Sequence, residues 1–206
     1  MCNAPYRVHR VSTSYDALGW RPNPDDIDRY GRAIPDEEYQ TGDFERAVSP
    51  KVRTGAIARH ITDFLKKTDR FGKTIVFCVD EEHVLEMVAA LNNLNADLTK
   101  QYPDYVCRVT SAAGDTGKSQ LYKFKDVLTQ TPAIAVTSRL LTTAVDIPTC
   151  KNVVLARVIR SMTDFKQVVG RGTRVEEDNG KLFFNILDRK FGYKPLLSVA
   201  GFNCIS

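Results

Sequence analysis

The sequence has one tryptophan and three histidines in 206 residues, and no unbroken apolar run in it is longer than Ile75–Val79. That run is far shorter than the roughly 18 residues a membrane span needs. No charged-then-apolar leader opens the chain, so neither a membrane anchor nor secretion is expected, and the expected compartment is the cytoplasm. The five cysteines are Cys2, Cys78, Cys107, Cys150 and Cys204; no two stand at C-x-x-C spacing and the number is odd. A zinc ribbon or disulfide framework is therefore disfavoured, and reduced thiols are expected. His9, His60 and His83 lie far apart without ligand spacing, so no metal site is expected. What is present is ordinary for a globular protein: 43% hydrophobic and 26% charged residues, which argues against disorder. The charge is 29 − 25 = +4, mildly basic and compatible with a nucleic-acid partner without requiring one.

The first 50 residues differ from the rest. Trp20–Asp26 and Ala33–Glu38 are rich in proline and acid and poor in apolar residues. Tyr6–Val11 alternates like a short strand, and turn signals follow. Residues 1–50 thus read as an irregular arm with at most one hairpin. From Val52 the pattern changes. Ile57, Ile61, Phe64 and Leu65 fall on one helical face. A buried strand follows at Ile75–Val79, and Asp80 suits the cap of a helix carrying Val84, Met87, Val88, Leu91, Leu94 and Leu98 on one face. Further strands are expected at Tyr105–Thr110, Ala133–Thr137, Asn152–Arg157 and Leu182–Leu187, with helices at Ser119–Leu128 and Met162–Gly172. Such alternation predicts an α/β fold, a mainly parallel sheet of five to seven strands with helices on both faces. Residues 51–188 form that domain in this reading, and 189–206 are an unassigned tail. Loops at the carboxyl ends of the strands are the expected place for function.

Phe165–Arg174 carries the densest chemistry. On a helix, Phe165, Val168, Val169 and Gly172 share one face, while Gln167, Arg171 and Arg174 fall on another. Paired arginines suit a phosphate, because the planar fork binds oxyanions bidentately and stays charged. The plainer reading is a surface helix with solvated arginines. Upstream, Thr137–Pro148 follows a buried strand and places hydroxyls and one carboxylate, Asp146, in a loop. Hydroxyls and backbone N–H groups there suit a nucleic-acid phosphate. The plainer reading is a strand-to-helix turn in which Asp146 only caps.

Taken together these segments resemble a known family. Leu141–Pro148 resembles motif V of superfamily 2 helicases and translocases, Gln167–Arg174 resembles motif VI, and Lys73–Asp80 stands where motif IV belongs. The wording of Cys150–Val154, Ser161–Gln167, Leu65–Phe71, Leu94–Leu98 and Gly19–Pro22 is similar to the R (restriction, motor) subunit of type I restriction enzymes. The resemblance covers roughly residues 5–188. It implies a RecA-like second motor domain that works with a first RecA-like domain to hydrolyse ATP, with Mg2+, and translocate duplex DNA. It implies that Arg171 and Arg174 approach the γ-phosphate, that Gln167 orients near it or near the attacking water, and that Asp146 couples nucleotide to DNA. It further implies that Thr142 and Thr143 hold the DNA backbone. The other implied partners are the nuclease domain of the same subunit and the methyltransferase and specificity subunits. Ala144 and Ser111 stand where this family commonly has glycine, and no role is carried onto Arg139. Neither Walker motif nor nuclease motif precedes Val52, so the chain is expected to be inactive as an ATPase alone. Two other readings stay open: another superfamily 2 motor, and an inert DNA- or partner-binding module.

Ala112–Ser119 resembles a P-loop in its Gly117-Lys118-Ser119, and Val79-Asp80-Glu81 resembles a Walker B strand end. Their order is inverted and Ala112 replaces the first glycine, so neither is read as holding nucleotide. A milder expectation is that Thr110, Ser111 and Lys118 touch a DNA phosphate.

Overall fold

The computed structural model describes residues 6–11, 21–22, 24, 27, 31–39, 51–138, 147, 149–157 and 183–189. Within them six strands form one sheet: β1 (Tyr6–Val11), β2 (Thr74–Phe77), β3 (Val106–Arg108), β4 (Ile134–Thr137), β5 (Asn152–Leu155) and β6 (Phe184–Arg189). Their order is β1-β6-β5-β2-β4-β3, and every pairing is parallel. The inner strands β2, β4 and β5 are buried along their whole length, which is why they read as unbroken apolar runs rather than as alternating ones.

Four helices are described: α1 (Lys51–Lys67), α2 (Glu81–Leu94), α3 (Ala96–Gln101) and α4 (Gly114–Lys125). Successive strand residues point to opposite faces and divide the core in two. Ile75, Phe77, Ala135, Val153, Leu155 and Ile186 pack with Phe124 of α4, and Leu121 leans on the same cluster. Val76, Cys78, Ile134, Val136, Val154 and Leu187 pack with Ile57, Ile61 and Leu65 of α1 and with Val84, Met87 and Leu91 of α2. Helices therefore cover both faces, as expected.

A chain of side-chain hydrogen bonds crosses four strands. Asn152 Nδ2 donates to Thr74 Oγ1 at 3.0 Å, and Asn185 Nδ2 donates to Asn152 Oδ1 at 2.9 Å. His9 Nε2 meets Asn185 Oδ1 at 3.0 Å, and Thr74 Oγ1 donates onward to Gly72 O at 2.7 Å. Because each member is buried or half-buried, a one-residue slip of any of the four strands would strand polar groups away from water.

Three expectations are corrected. The single helix expected to run through Leu98 is two helices broken at Asn95. That residue is buried, and its Nδ2 donates to Leu91 O at 2.9 Å and to Thr62 Oγ1 at 3.0 Å. Leu91 O also accepts the Asn95 backbone N–H at 3.0 Å, so the side-chain amide adds a second donor to a carbonyl at the end of α2. Next, α4 starts five residues before the expected Ser119, because its first turn is polar and leaves no apolar periodicity to read. It stops at Lys125, leaving Leu128 93% exposed. Finally, Tyr6–Val11 is a strand as expected, but it is the edge of the main sheet, in register from Tyr6↔Phe184 to Val11↔Arg189. The arm's turn is marked by an isolated antiparallel bridge, Ile27↔Ala33, around Gly31 at φ +77°. The helix expected at Met162–Gly172 and residues 190–206 lie outside the described residues.

Candidate functional site at the carboxyl edge of the sheet

In an all-parallel sheet every strand ends on the same edge, and the loops there are free to hold a ligand. Ladder bonds extend just past the strands: Cys78 N–H to Thr137 O at 2.7 Å, Val109 N–H to Val136 O at 2.9 Å, and Ala156 N–H to Phe77 O at 2.9 Å. These bonds hold the first loop residues in place. Cys78–Glu81, Val109–Ser111, Ser138 and Ala156–Arg157 thus sit along one edge.

The N-terminus of α2 is built from local chemistry. Asp80 caps it in an extended conformation, and its Oδ1 accepts the His83 N–H at 2.8 Å. The buried His83 ring accepts the Val79 N–H at Nδ1, 3.3 Å, which puts the ring proton on Nε2. Glu81, in the first turn, reaches across to β3. Its Oε1 accepts from Thr110 Oγ1 at 2.8 Å and pairs with Arg108 Nη1 at 3.4 Å. Both carboxylates of the Walker-B-like triplet are therefore engaged with their own protein.

Of the residues expected to touch DNA, Thr110, Ser111 and Lys118 are described, the first two side by side. Those two differ in availability. The Thr110 hydroxyl already gives its proton to a carboxylate. Ser111 is exposed at the start of a short 3-10 turn, Ser111–Ala113, where its hydroxyl is open to a phosphate. Thr142, Thr143, Asp146, Gln167, Arg171 and Arg174 lie outside the described residues. The described residues beside them are informative: Ser138 stands at the carboxyl end of β4, Ile147 is fully buried in the core, and Arg157 stands at the carboxyl end of β5. Both segments thus leave the sheet from this edge.

The P-loop-like run does not fit a triphosphate. Gly117 lies inside α4, where a Cβ would come within 2.9 Å of Ala113 Cβ and 3.1 Å of Thr110 O. Lys118 projects outward, 75% exposed, and pairs with Asp115 at 3.1 Å. The glycine serves close helix packing and the lysine a surface pair. Among the described residues no cluster of three or more metal-ligating side chains occurs.

Sequence reasoning missed Glu81 as the anchor of Thr110, and it missed Arg108 and Arg157. Arg108 had a readable signal: a charge inside an otherwise apolar strand. The opposite edge of the sheet is structural. Lys73 is buried there and donates to Pro132 O at 2.8 Å, and burial pushes its ammonium pKa down. Burial also pushes the Cys107 thiol up to about 12, and Cys78, Cys107 and Cys150 are buried thiols outside any disulfide among the described residues. The protonated form of such a thiol is not a nucleophile.

The helicase conserved C-terminal domain model matches residues 56–176. The chain is 48% identical over 187 residues to the type I restriction enzyme EcoAI endonuclease subunit of Escherichia coli, covering 91% of this chain and 23% of that protein. It is 34% identical over 169 residues to the type I restriction enzyme EcoKI endonuclease subunit of Escherichia coli strain K12, covering 80% of this chain and 14% of that one. Among solved structures, a fragment assigned to the HsdR subunit of a type I restriction enzyme from Vibrio vulnificus YJ016 superposes with a TM-score of 0.80. It is 52% identical, over 99% of this chain and 35% of that one. The chain therefore spans a quarter or less of the curated relatives it matches. The family match takes in more than half of the chain and both segments that leave the carboxyl edge, and it agrees with the parallel sheet: this chain belongs to the helicase conserved C-terminal domain family.

Proposed function

We propose that this chain is the second RecA-like motor domain of a type I restriction enzyme R subunit. With a first RecA-like domain it would hydrolyse ATP to translocate duplex DNA before cleavage. The observation that carries the reading is 48% identity across 91% of the chain to a type I restriction endonuclease subunit. The parallel sheet adds support, because Ser138 and Arg157, the last described residues before the two motif-bearing segments, both stand at its carboxyl edge.

In this reading ATP and Mg2+ are held mainly by the first domain, since the described residues build no phosphate cradle of their own. Arg171 and Arg174 act as arginine fingers that stabilise charge developing on the transferred phosphoryl group. Gln167 orients the attacking water, and Asp146 couples the nucleotide side to the DNA side. Thr142 and Thr143 hold the DNA backbone, and the exposed Ser111 hydroxyl adds a contact, whereas the Thr110 hydroxyl proton is already given to Glu81. The partners are duplex DNA, the first motor domain and nuclease domain of the same subunit, and the methyltransferase and specificity subunits, in the cytoplasm.

The test is steady-state ATPase of the full-length subunit carrying this segment. Arg171→Ala and Arg174→Ala should each lower turnover by about 10³-fold or more, the scale of an arginine finger. Thermal stability and DNA affinity should hold. Turnover that survives Arg171→Ala, or a domain that unfolds on it, would remove the basis of the reading. The chain alone should show no measurable ATPase until a first RecA-like domain is supplied.

A further inference from the structure

Arg157 is a half-buried charged side chain whose charge no described residue meets. It stands at the carboxyl end of β5, an inner strand flanked by β2 and β6. The ladder continues through Ala156, whose N–H donates to Phe77 O at 2.9 Å, so the backbone just before Arg157 is held firmly. The side chain is half-buried. Its Nε is shielded from solvent and has no hydrogen-bond partner, and no ion pair joins it to another described residue. Arg70 and Arg108, also half-buried, are each paired with a carboxylate, Asp97 and Glu81, and although the Arg70 Nε is unmatched as well, its charge is met; Arg157 has no carboxylate among the described residues. A guanidinium with a shielded, unmatched N–H is costly to keep unless something else completes it. Its position answers what that is: the edge where ligand loops gather, and a planar fork suited to an oxyanion.

We propose that Arg157 binds a phosphate oxygen of a ligand lying across the carboxyl ends of β2 and β5. The proposal rests on the motor-domain reading, which offers two sources of that oxygen, the nucleotide and the DNA backbone. Arg157 then supplies a cation for that ligand at this edge of the sheet.

The experiment uses the full-length subunit with Arg157→Ala, Arg157→Lys and Arg157→Met, and reads binding as well as ATPase. A fluorescent non-hydrolysable ATP analogue reports nucleotide affinity. A duplex of fixed length, titrated across salt concentrations, reports DNA affinity. If the oxygen is the nucleotide's, Arg157→Ala weakens analogue binding about 10- to 100-fold, the scale of one charge-assisted hydrogen bond, with duplex affinity unchanged. If it belongs to DNA, duplex affinity falls and the salt slope drops by about one, with nucleotide affinity unchanged. In either case Arg157→Lys restores part of the loss and Arg157→Met none. Unchanged affinity for both ligands overturns the proposal. So does full recovery with Arg157→Met, which would make the side chain a packing element. The parent reading fails separately, through intact turnover in Arg171→Ala.

Discussion

Two glycines inside helices should respond to the same substitution with opposite sign. Alanine is favoured over glycine within a helix by about 1 kcal/mol. At Gly55 in α1 nothing lies within 4 Å of the position a Cβ would take, so Gly55→Ala should collect that gain. At Gly117 in α4 the new Cβ would lie 2.9 Å from Ala113 Cβ and 3.1 Å from Thr110 O. Carbon atoms normally settle about 3.5–4.0 Å apart. One obstacle is a methyl on a rigid turn and the other is backbone, so neither can swing aside. The first turn of α4 must move off the Ser111–Ala113 turn, and overpacking of this kind costs about 1–3 kcal/mol. Against the propensity gain, Gly117→Ala should end about 1 kcal/mol less stable and Gly55→Ala about 1 kcal/mol more stable. For a chain this long each kcal/mol moves Tm by about 2–4 °C, so the two midpoints should separate by roughly 4–8 °C, one on each side of the parent. Thermal and urea unfolding followed by circular dichroism measures both. The double variant Ala113→Gly with Gly117→Ala removes one obstacle and should recover part of the loss. A Gly117→Ala midpoint that rises with that of Gly55→Ala would refute the packing account and reopen the question of why Gly117-Lys118-Ser119 is there.

Other outcomes follow from named contacts. Lys118→Ala should leave nucleotide affinity of the full-length subunit unchanged, as read with a fluorescent ATP analogue, because its amine sits on the surface beside Asp115. Asn152→Ala breaks two bonds of the chain at once; Thr74 Oγ1 keeps its bond to Gly72 O, but Asn185 Nδ2 loses its acceptor, and urea unfolding should register a loss of about 1–3 kcal/mol for that donor left half-buried and unpaired. The Arg70 guanidinium, bonded through Nη2 at 2.9 Å, holds the Asp97 carboxyl at about 2, below its ordinary 3.8. A carboxyl depressed in the folded state adds stability that is complete above its unfolded value and disappears as pH falls through the folded one. Between about pH 4 and pH 2, then, the parent should lose stability that Asp97→Asn never had, and superimposable pH profiles for the two proteins would count against the pair.

The sequence by itself determined the strands that are buried on both faces. Ile75–Val79, Ala133–Thr137 and Asn152–Arg157 read as apolar runs because a parallel strand covered by helices has no solvent side to record. The same burial made the α1 and α2 faces readable from their spacing, and the inverted order of the P-loop-like and Walker-B-like runs was enough to set both aside. What depends on a single hydrogen bond was beyond reach. Asn95 looks like any polar residue in a helical window, yet its buried amide ties the end of α2 to Thr62 of α1. Tyr6–Val11 announced a strand, but its parallel partner lies more than 170 residues away, and pairing at that separation leaves no mark in either segment alone. Glu81 shows the same limit in the candidate site. From sequence it is an acid in the first turn of a helix; only the fold brings β3 beside that turn, so that the carboxylate meets Thr110 and Arg108. Local pattern records which side of an element is dry, whereas the partner on that side is set by how distant elements stack, and that was decided by the tertiary structure.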